Sequence, residues 1–182
     1  MRKILSVCLG LCLIVTVVFV IPARAFTVEE AYQAIPHRRT VFDPSSATMS
    51  DKEKNALVQF FNVTDLAVAK RVEEMLWLQG NHSIQSANTY DEILNQIDAL
   101  DLPEKLNPVR KLFRDAIVDQ KDFLQEWRTS GHTSIDVAGD AKVQRASQKL
   151  QQAYGLIMQL YPNENEHNKA AFFDYPCALD FL

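Results

Sequence analysis

His37, Arg38 and Arg39 follow directly after Pro36, in the most unusual segment of the chain. An arginine guanidinium donates two parallel hydrogen bonds to a carboxylate or a phosphate, and a protonated imidazole can add another. These three residues are therefore one candidate site for binding an anionic group.

The same segment, residues 35–44, can also be interpreted as a structural strap. Prolines bound it, and apolar residues flank the charged ones. In that case it crosses one end of a helical bundle, buries Val41 and Phe42, and pairs its arginines with acidic residues. We favour the strap, because proline cannot continue a helix and leaves the segment irregular.

A second candidate surface centres on Trp77. A protein that binds a partner is expected to expose a contiguous apolar patch. Trp77, Leu78 and Ile84 could form such a patch together with the aromatic residues of the C-terminal tail. Trp77 is therefore predicted to be a binding residue.

Catalytic and cofactor signatures are absent from the sequence. It has no Gly-rich phosphate loop, no nucleophile elbow, and no H-E-x-x-H or C-x-x-C motif. The C-x-x-C-H motif of covalent haem attachment is also missing. We therefore predict that the chain is not an enzyme and has no cofactor.

Non-covalent haem or a metal would need ligands that face a helical core. Met75 and Met158 lie on or beside apolar stripes, where methionine is usually core filler. A di-metal carboxylate bundle uses two Glu-x-x-His pairs, which this sequence does not supply. We predict no metal site and expect the acidic rows to be solvated helix faces. These rows are Glu73, Glu74, Asp119, Asp122 and Glu126.

Residues 1–25 have the pattern of a secretory signal peptide. Arg2 and Lys3 precede an apolar run, and Pro22 is followed by an Ala-Arg-Ala cleavage pattern. We expect cleavage before Phe26 and a protein that is exported to the periplasm or the extracellular space. The alternative is an uncleaved N-terminal membrane anchor, because the apolar run is long enough to cross a bilayer.

The remaining chain, residues 26–182, is expected to form a single domain. Residues 1–25 contain three of the 19 basic residues and none of the 23 acidic ones, so this domain is acidic. Such a balance excludes a basic nucleic-acid binder, and no stable membrane span is expected after cleavage. Cys177 is its only cysteine. We favour burial of Cys177 in the tail over a disulfide between two chains.

Apolar residues at spacings of three and four predict an all-α fold. Capping boxes open helices after Thr27, Ser50 and Thr89, and a fourth helix follows Pro103. A fifth helix is expected to start after Thr133 or Ser134. We predict an up-down bundle of about four main helices, with a short N-terminal helix, the strap and a packed aromatic tail.

Charge predicts how the fourth and fifth helices pair. Acidic residues lie late in the fourth helix and basic residues early in the fifth, so an antiparallel hairpin would bring the two sets together. The residues are Asp119, Asp122 and Glu126 on one helix, and Lys142, Arg145 and Lys149 on the other.

Taken together, these patterns favour an exported, non-enzymatic binding or protein-interaction module of the cell envelope, with another envelope protein as its expected partner. The alternative is a four-helix bundle that binds a ligand or a cofactor such as haem or a metal. That alternative requires an internal cavity with convergent polar groups.

Overall fold

Six helices account for most of the computed structural model, which describes residues 25–82, 85–130 and 137–181. The predicted signal peptide lies outside these ranges except for Ala25. The all-α prediction is confirmed. The helices are α1 (Val28–Ala34), α2 (Asp51–Leu78), α3 (Tyr90–Ala99), α4 (Asn107–Ser130), α5 (Ala141–Leu160) and α6 (Glu166–Leu179).

Two small elements complete the described part of the chain. A single 3₁₀ turn, Glu104–Leu106, leads into α4. Strands β1 (Ala25–Phe26) and β2 (Gln85–Ser86) pair in parallel, which ties the start of the domain to the connection between α2 and α3.

The three predicted capping boxes are all present. The backbone N–H of Glu30 donates to the Thr27 hydroxyl at 3.2 Å, and the Glu30 carboxylate accepts from the Thr27 backbone N–H at 2.9 Å. The same reciprocal arrangement opens α2 at Ser50 and α3 at Thr89. Local sequence therefore sets the start of these helices.

The predicted start of α5 is wrong. Asp140 caps this helix, and its carboxylate accepts from the backbone N–H groups of Lys142 at 2.7 Å and Val143 at 3.3 Å. Residues 137–139 form a turn before it. Asp is as good a cap as Ser or Thr, and the predicted caps at 133 and 134 lie outside the described residues.

Helix α2 is the central element, because it buries side chains on most of its circumference. Its Phe61 stacks on Tyr175 of α6, with ring centroids 4.2 Å apart. Phe42 of the strap stacks on Phe172 of α6 at 5.9 Å. The tail prediction is therefore confirmed, and the tail is itself a helix whose first turn is capped by Asn165.

Helices α4 and α5 are antiparallel neighbours, as their charges predict. Asp119 accepts from Arg145 at 3.2 Å and from Lys149 at 2.5 Å, while Lys142 pairs with Glu126 nearer the turn. Among the helices of the described ranges, none combines the length and the apolar character needed to cross a bilayer.

Candidate functional site

Arg39, one of the predicted anion-binding residues, is already engaged inside the fold. Its guanidinium donates to the carboxylate of Asp65 at 2.5 Å and to that of Glu29 at 3.2 Å. It also lies over the ring of Tyr32, 5.3 Å from the centroid. The strap interpretation expected such pairing of its arginines with acidic residues.

Tyr32, Arg39 and Asp65 together form what we term the strap cluster. The Tyr32 hydroxyl donates to Asp65 at 3.0 Å, so each carboxylate oxygen of Asp65 accepts one hydrogen bond. Burial raises the pKa of Asp65, and the bonds from Arg39 and Tyr32 oppose that rise. Burial and the charge of Asp65 raise the pKa of Tyr32. The cluster therefore satisfies both carboxylate oxygens of Asp65, while the buried Nε of Arg39 has no hydrogen-bond partner among the described residues.

The structure does not bring His37 and Arg38 together with Arg39 around one cavity. Arg38 is exposed and His37 is half-buried. Burial, followed by the positive charge of Arg71, lowers the pKa of His37, so its imidazole is neutral near pH 7.

The strap buries Phe42 but not Val41, so the prediction of Val41 burial is wrong. The Val41 side chain is 55% exposed, whereas Phe42 is 4% exposed. Successive side chains of an extended backbone point to opposite sides, so only one of two neighbours can face the core.

A cleft on the described surface lies between α2, α3 and α4. It has a volume of about 300 Å³. One wall of the cleft is a single face of α4. Its residues lie three, four, seven and eight positions after Lys121, and residues at these spacings lie on the same side of a helix. We term it the α4 cleft, and its lining residues are Glu74, Tyr90, Lys121, Leu124, Gln125, Arg128 and Thr129.

Arg128 is held in position from two sides. Its guanidinium donates to the carboxylate of Glu74 and lies over the indole of Trp77, 4.3 Å from the ring centroid. Trp77 in turn contacts the His82 ring at 4.7 Å. Trp77, predicted as a binding residue, is half-buried and supports a cleft residue through this cation–π contact.

Glu73 and Glu74 are buried, so the expectation of a solvated acidic row is wrong here. Lys70 donates to Glu73 at 2.6 Å and to Glu74 at 2.9 Å, and the Ser86 hydroxyl donates to Glu73 at 2.9 Å. These partners come from α2 and β2, and β2 covers this face of α2. Asp119 is buried as well, beneath the side chains of α5.

Tyr90 is the unusual residue of the α4 cleft. Its side chain is 7% exposed, and within the described chain its hydroxyl has no hydrogen-bond partner. Burial, followed by the charge of Glu74, raises the pKa of Tyr90, so the hydroxyl stays protonated. A buried polar group without a partner costs about 1–3 kcal/mol, and such a group inside a cleft points to a ligand.

A second, smaller groove of about 50 Å³ lies between α5 and α6. Cys177 lines it as a free thiol that is half-buried, so the burial that the sequence favours is only partial. Burial raises the pKa of Cys177, which makes the thiol a poor nucleophile. The other lining residues are Leu150, Gln151, Tyr154, Phe173, Pro176 and Asp180.

Sequence reasoning missed Tyr90, Lys121 and Arg128 as site residues. Tyr90 looked like one more member of the apolar stripe of α3. The signal that could have found the α4 cleft is the row of polar residues on α4, at 121, 125, 128 and 129, on the side away from α5. Only the packing of α3 against α4 shows that this row faces a cavity.

Comparisons with protein-family models, with curated proteins and with solved structures found no significant match for this chain. Among the described residues, no group of three or more His, Cys, Asp or Glu side chains has the arrangement of a metal site. The α4 cleft is therefore the candidate site with the most informative geometry.

Proposed function

We propose that this chain is an exported, non-enzymatic binding protein of the cell envelope and that the α4 cleft binds a small polar molecule. Export rests on the leader pattern of residues 1–25, and the absence of catalytic motifs from the sequence supports a binding role. The observation that carries the proposal is the protonated, buried hydroxyl of Tyr90, a residue of the cleft lining, which has no hydrogen-bond partner among the described residues.

Two further features support the same function. The volume of about 300 Å³ is at the lower end of the range of small-molecule sites, which is about 300–1,000 Å³. Glu74 and Trp77 fix the position of Arg128 before any ligand binds, and such preorganisation lowers the entropic cost of binding.

Native mass spectrometry of protein expressed from the full chain tests the proposal. We expect a co-purified small molecule on the wild type, and its loss in Tyr90→Phe. The matched control is Tyr154→Phe, which removes a hydroxyl from the groove between α5 and α6 and should retain the molecule. Absence of any bound molecule, or equal retention in both variants, would contradict the proposal.

A protein-interaction module is the second candidate, and Phe173 favours it. The Phe173 side chain is 50% exposed, and its ring contacts Tyr154 at 5.4 Å beside the smaller groove. Exposed aromatic residues of this kind are enriched at protein interfaces. In this version the partner is another envelope protein, and the same native spectra would show it as a complex of higher mass.

A further inference from the structure

The α4 cleft has more charged donors than charged acceptors in its lining, and the amide of Gln125 and the hydroxyl of Thr129 can act as either. Lys121 and Arg128 can only donate, and the Tyr90 hydroxyl stays protonated. Glu74 is the one carboxylate of the lining, and each of its oxygens already accepts from a cation, Lys70 or Arg128. A ligand that fits this surface must therefore be rich in acceptors.

The buried acidic residues beside the cleft are paired with cations. Behind Tyr90, the two acids Glu73 and Glu74 are matched by Lys70 and Arg128. The buried Arg71 guanidinium donates to the carbonyl oxygen of Ala178 at 2.8 Å, and the negative charge of Asp180 acts on it. The buried charges next to Tyr90 are therefore largely balanced, and the cations that a ligand can reach are those of the cleft lining, Lys121 and Arg128.

Lys121 supplies a second cation on the same wall. It lies two turns before Arg128 on α4, and its ammonium group contacts Asp91 at 2.5 Å. That carboxylate is largely exposed, so the ion pair is weak and Lys121 can exchange Asp91 for a ligand at little cost.

We propose that the molecule bound in the α4 cleft is a small organic anion whose carboxylate or phosphate group accepts hydrogen bonds from Arg128 and the Tyr90 hydroxyl, with Lys121 as the second cation. This inference rests on the proposed function and specifies its ligand class. Leu124 and the Tyr90 ring provide the apolar part of the wall for the ligand's carbon atoms.

Isothermal titration calorimetry with defined probes tests this class. The anionic probes are succinate, citrate and inorganic phosphate, and the comparison probes are succinamide, which is neutral, and putrescine, which is cationic. At least one anion should bind, and Lys121→Gln should weaken it about tenfold, the loss expected for one charge-assisted contact. Preference for succinate and citrate, or for phosphate, identifies the acidic group.

The matched control is Lys111→Gln. Lys111 lies on the same helix, is 74% exposed and pairs with Asp115 outside the cleft. Its substitution removes the same charge from α4 and should leave the affinity unchanged. Equal weakening by Lys111→Gln and Lys121→Gln would mean that probes respond to overall charge, which contradicts the proposal.

The remaining outcomes distinguish a failure of the anionic ligand class from a failure of the proposed small-molecule site. Binding of succinamide or putrescine that Tyr90→Phe weakens, without binding of any anion, would overturn the anionic class and leave a small-molecule site. Failure of all five probes at millimolar concentration overturns the anionic class as well. If the native spectra also show no bound molecule, the proposed function falls with it.

Discussion

Asp65 and Glu74 are both buried carboxylates of α2, about two and a half turns apart, and each pairs with an arginine from another element. Each arginine also lies over an aromatic ring, and each carboxylate has a buried or half-buried tyrosine near it. The strap cluster and the α4 cleft thus contain the same kinds of side chain.

The two regions differ in what the tyrosine does. Tyr32 donates to Asp65 and completes its network, whereas the hydroxyl of Tyr90 is left without a partner in the described chain. The reason lies in the second partner of each acid, which is Tyr32 for Asp65 and Lys70 for Glu74. Lys70 takes the second oxygen of Glu74, so the carboxylate is satisfied before Tyr90 reaches it.

This difference separates a structural polar cluster from the proposed binding site. In the strap cluster every donor that reaches Asp65 comes from the chain, so its interactions stabilise the fold. In the α4 cleft, Lys121 and Arg128 line a space of about 300 Å³, and the Tyr90 hydroxyl has no partner among the described residues. Such a site is less stable than a filled one, and a ligand that supplies the missing acceptor recovers that stability.

The largest expected effect is the loss of the Asp65 charge. Asp65→Asn leaves Arg39 without its buried partner, and breaking a buried pair in this way should lower the free energy of unfolding by about 3 kcal/mol. Urea denaturation measures the loss. Asp91→Asn, which breaks the exposed pair with Lys121, is the control and should change the stability little.

The second-largest expected effect is a difference in stability between the variants Tyr32→Phe and Tyr90→Phe. Tyr32→Phe removes a hydrogen bond to a charged acceptor and should cost about 2 kcal/mol. Tyr90→Phe removes a hydroxyl that has no partner among the described residues, so without ligand the variant should be as stable as the wild type, or more stable by up to about 1 kcal/mol.

Both tyrosine variants are compared by urea denaturation in the absence of added anions. Equal losses for Tyr32→Phe and Tyr90→Phe would show that Tyr90 has a structural partner, and the contrast between the two regions would disappear. A loss of stability that is confined to Tyr32→Phe would support the contrast between the two regions. Addition of a bound anion should then stabilise the wild type more than Tyr90→Phe.

Sequence reasoning predicted the elements whose causes are local. The capping boxes at Thr27, Ser50 and Thr89 involve residues three apart, and Gly80 ends α2 with a φ of +96° as its type suggested. The pairing of α4 with α5 followed from charge, because two antiparallel helices place complementary rows side by side.

The candidate site could not be predicted in the same way. Glu73 and Glu74 looked solvated because their burial depends on β2 and α4, which are distant in sequence. Tyr90 looked like an apolar core residue because nothing in its neighbourhood shows that its hydroxyl lacks a partner. The sequence allows Arg39 to belong to a strap or to an anion site, and its contact with Asp65 places it in the strap cluster.

The smallest expected effect comes from an ion pair outside both regions, Lys142 of α5 with Glu126 of α4. Lys142→Glu places two acids at the rim and should slightly lower the urea midpoint, and Glu126→Lys should do the same with two cations. The double reversal restores opposite charges and should recover most of the midpoint.

Urea denaturation at high salt distinguishes the exposed ion pair of Lys142 and Glu126 from the buried pair of Asp65 and Arg39. At 1 M salt the screening length is about 3 Å, so the small differences among the Glu126 and Lys142 variants should vanish. The loss in Asp65→Asn should persist, because buried charges are screened much less. If salt removed both effects alike, Asp65 would behave as a surface charge. If the double reversal gave no recovery, the antiparallel rim between α4 and α5 would not pair these residues in solution.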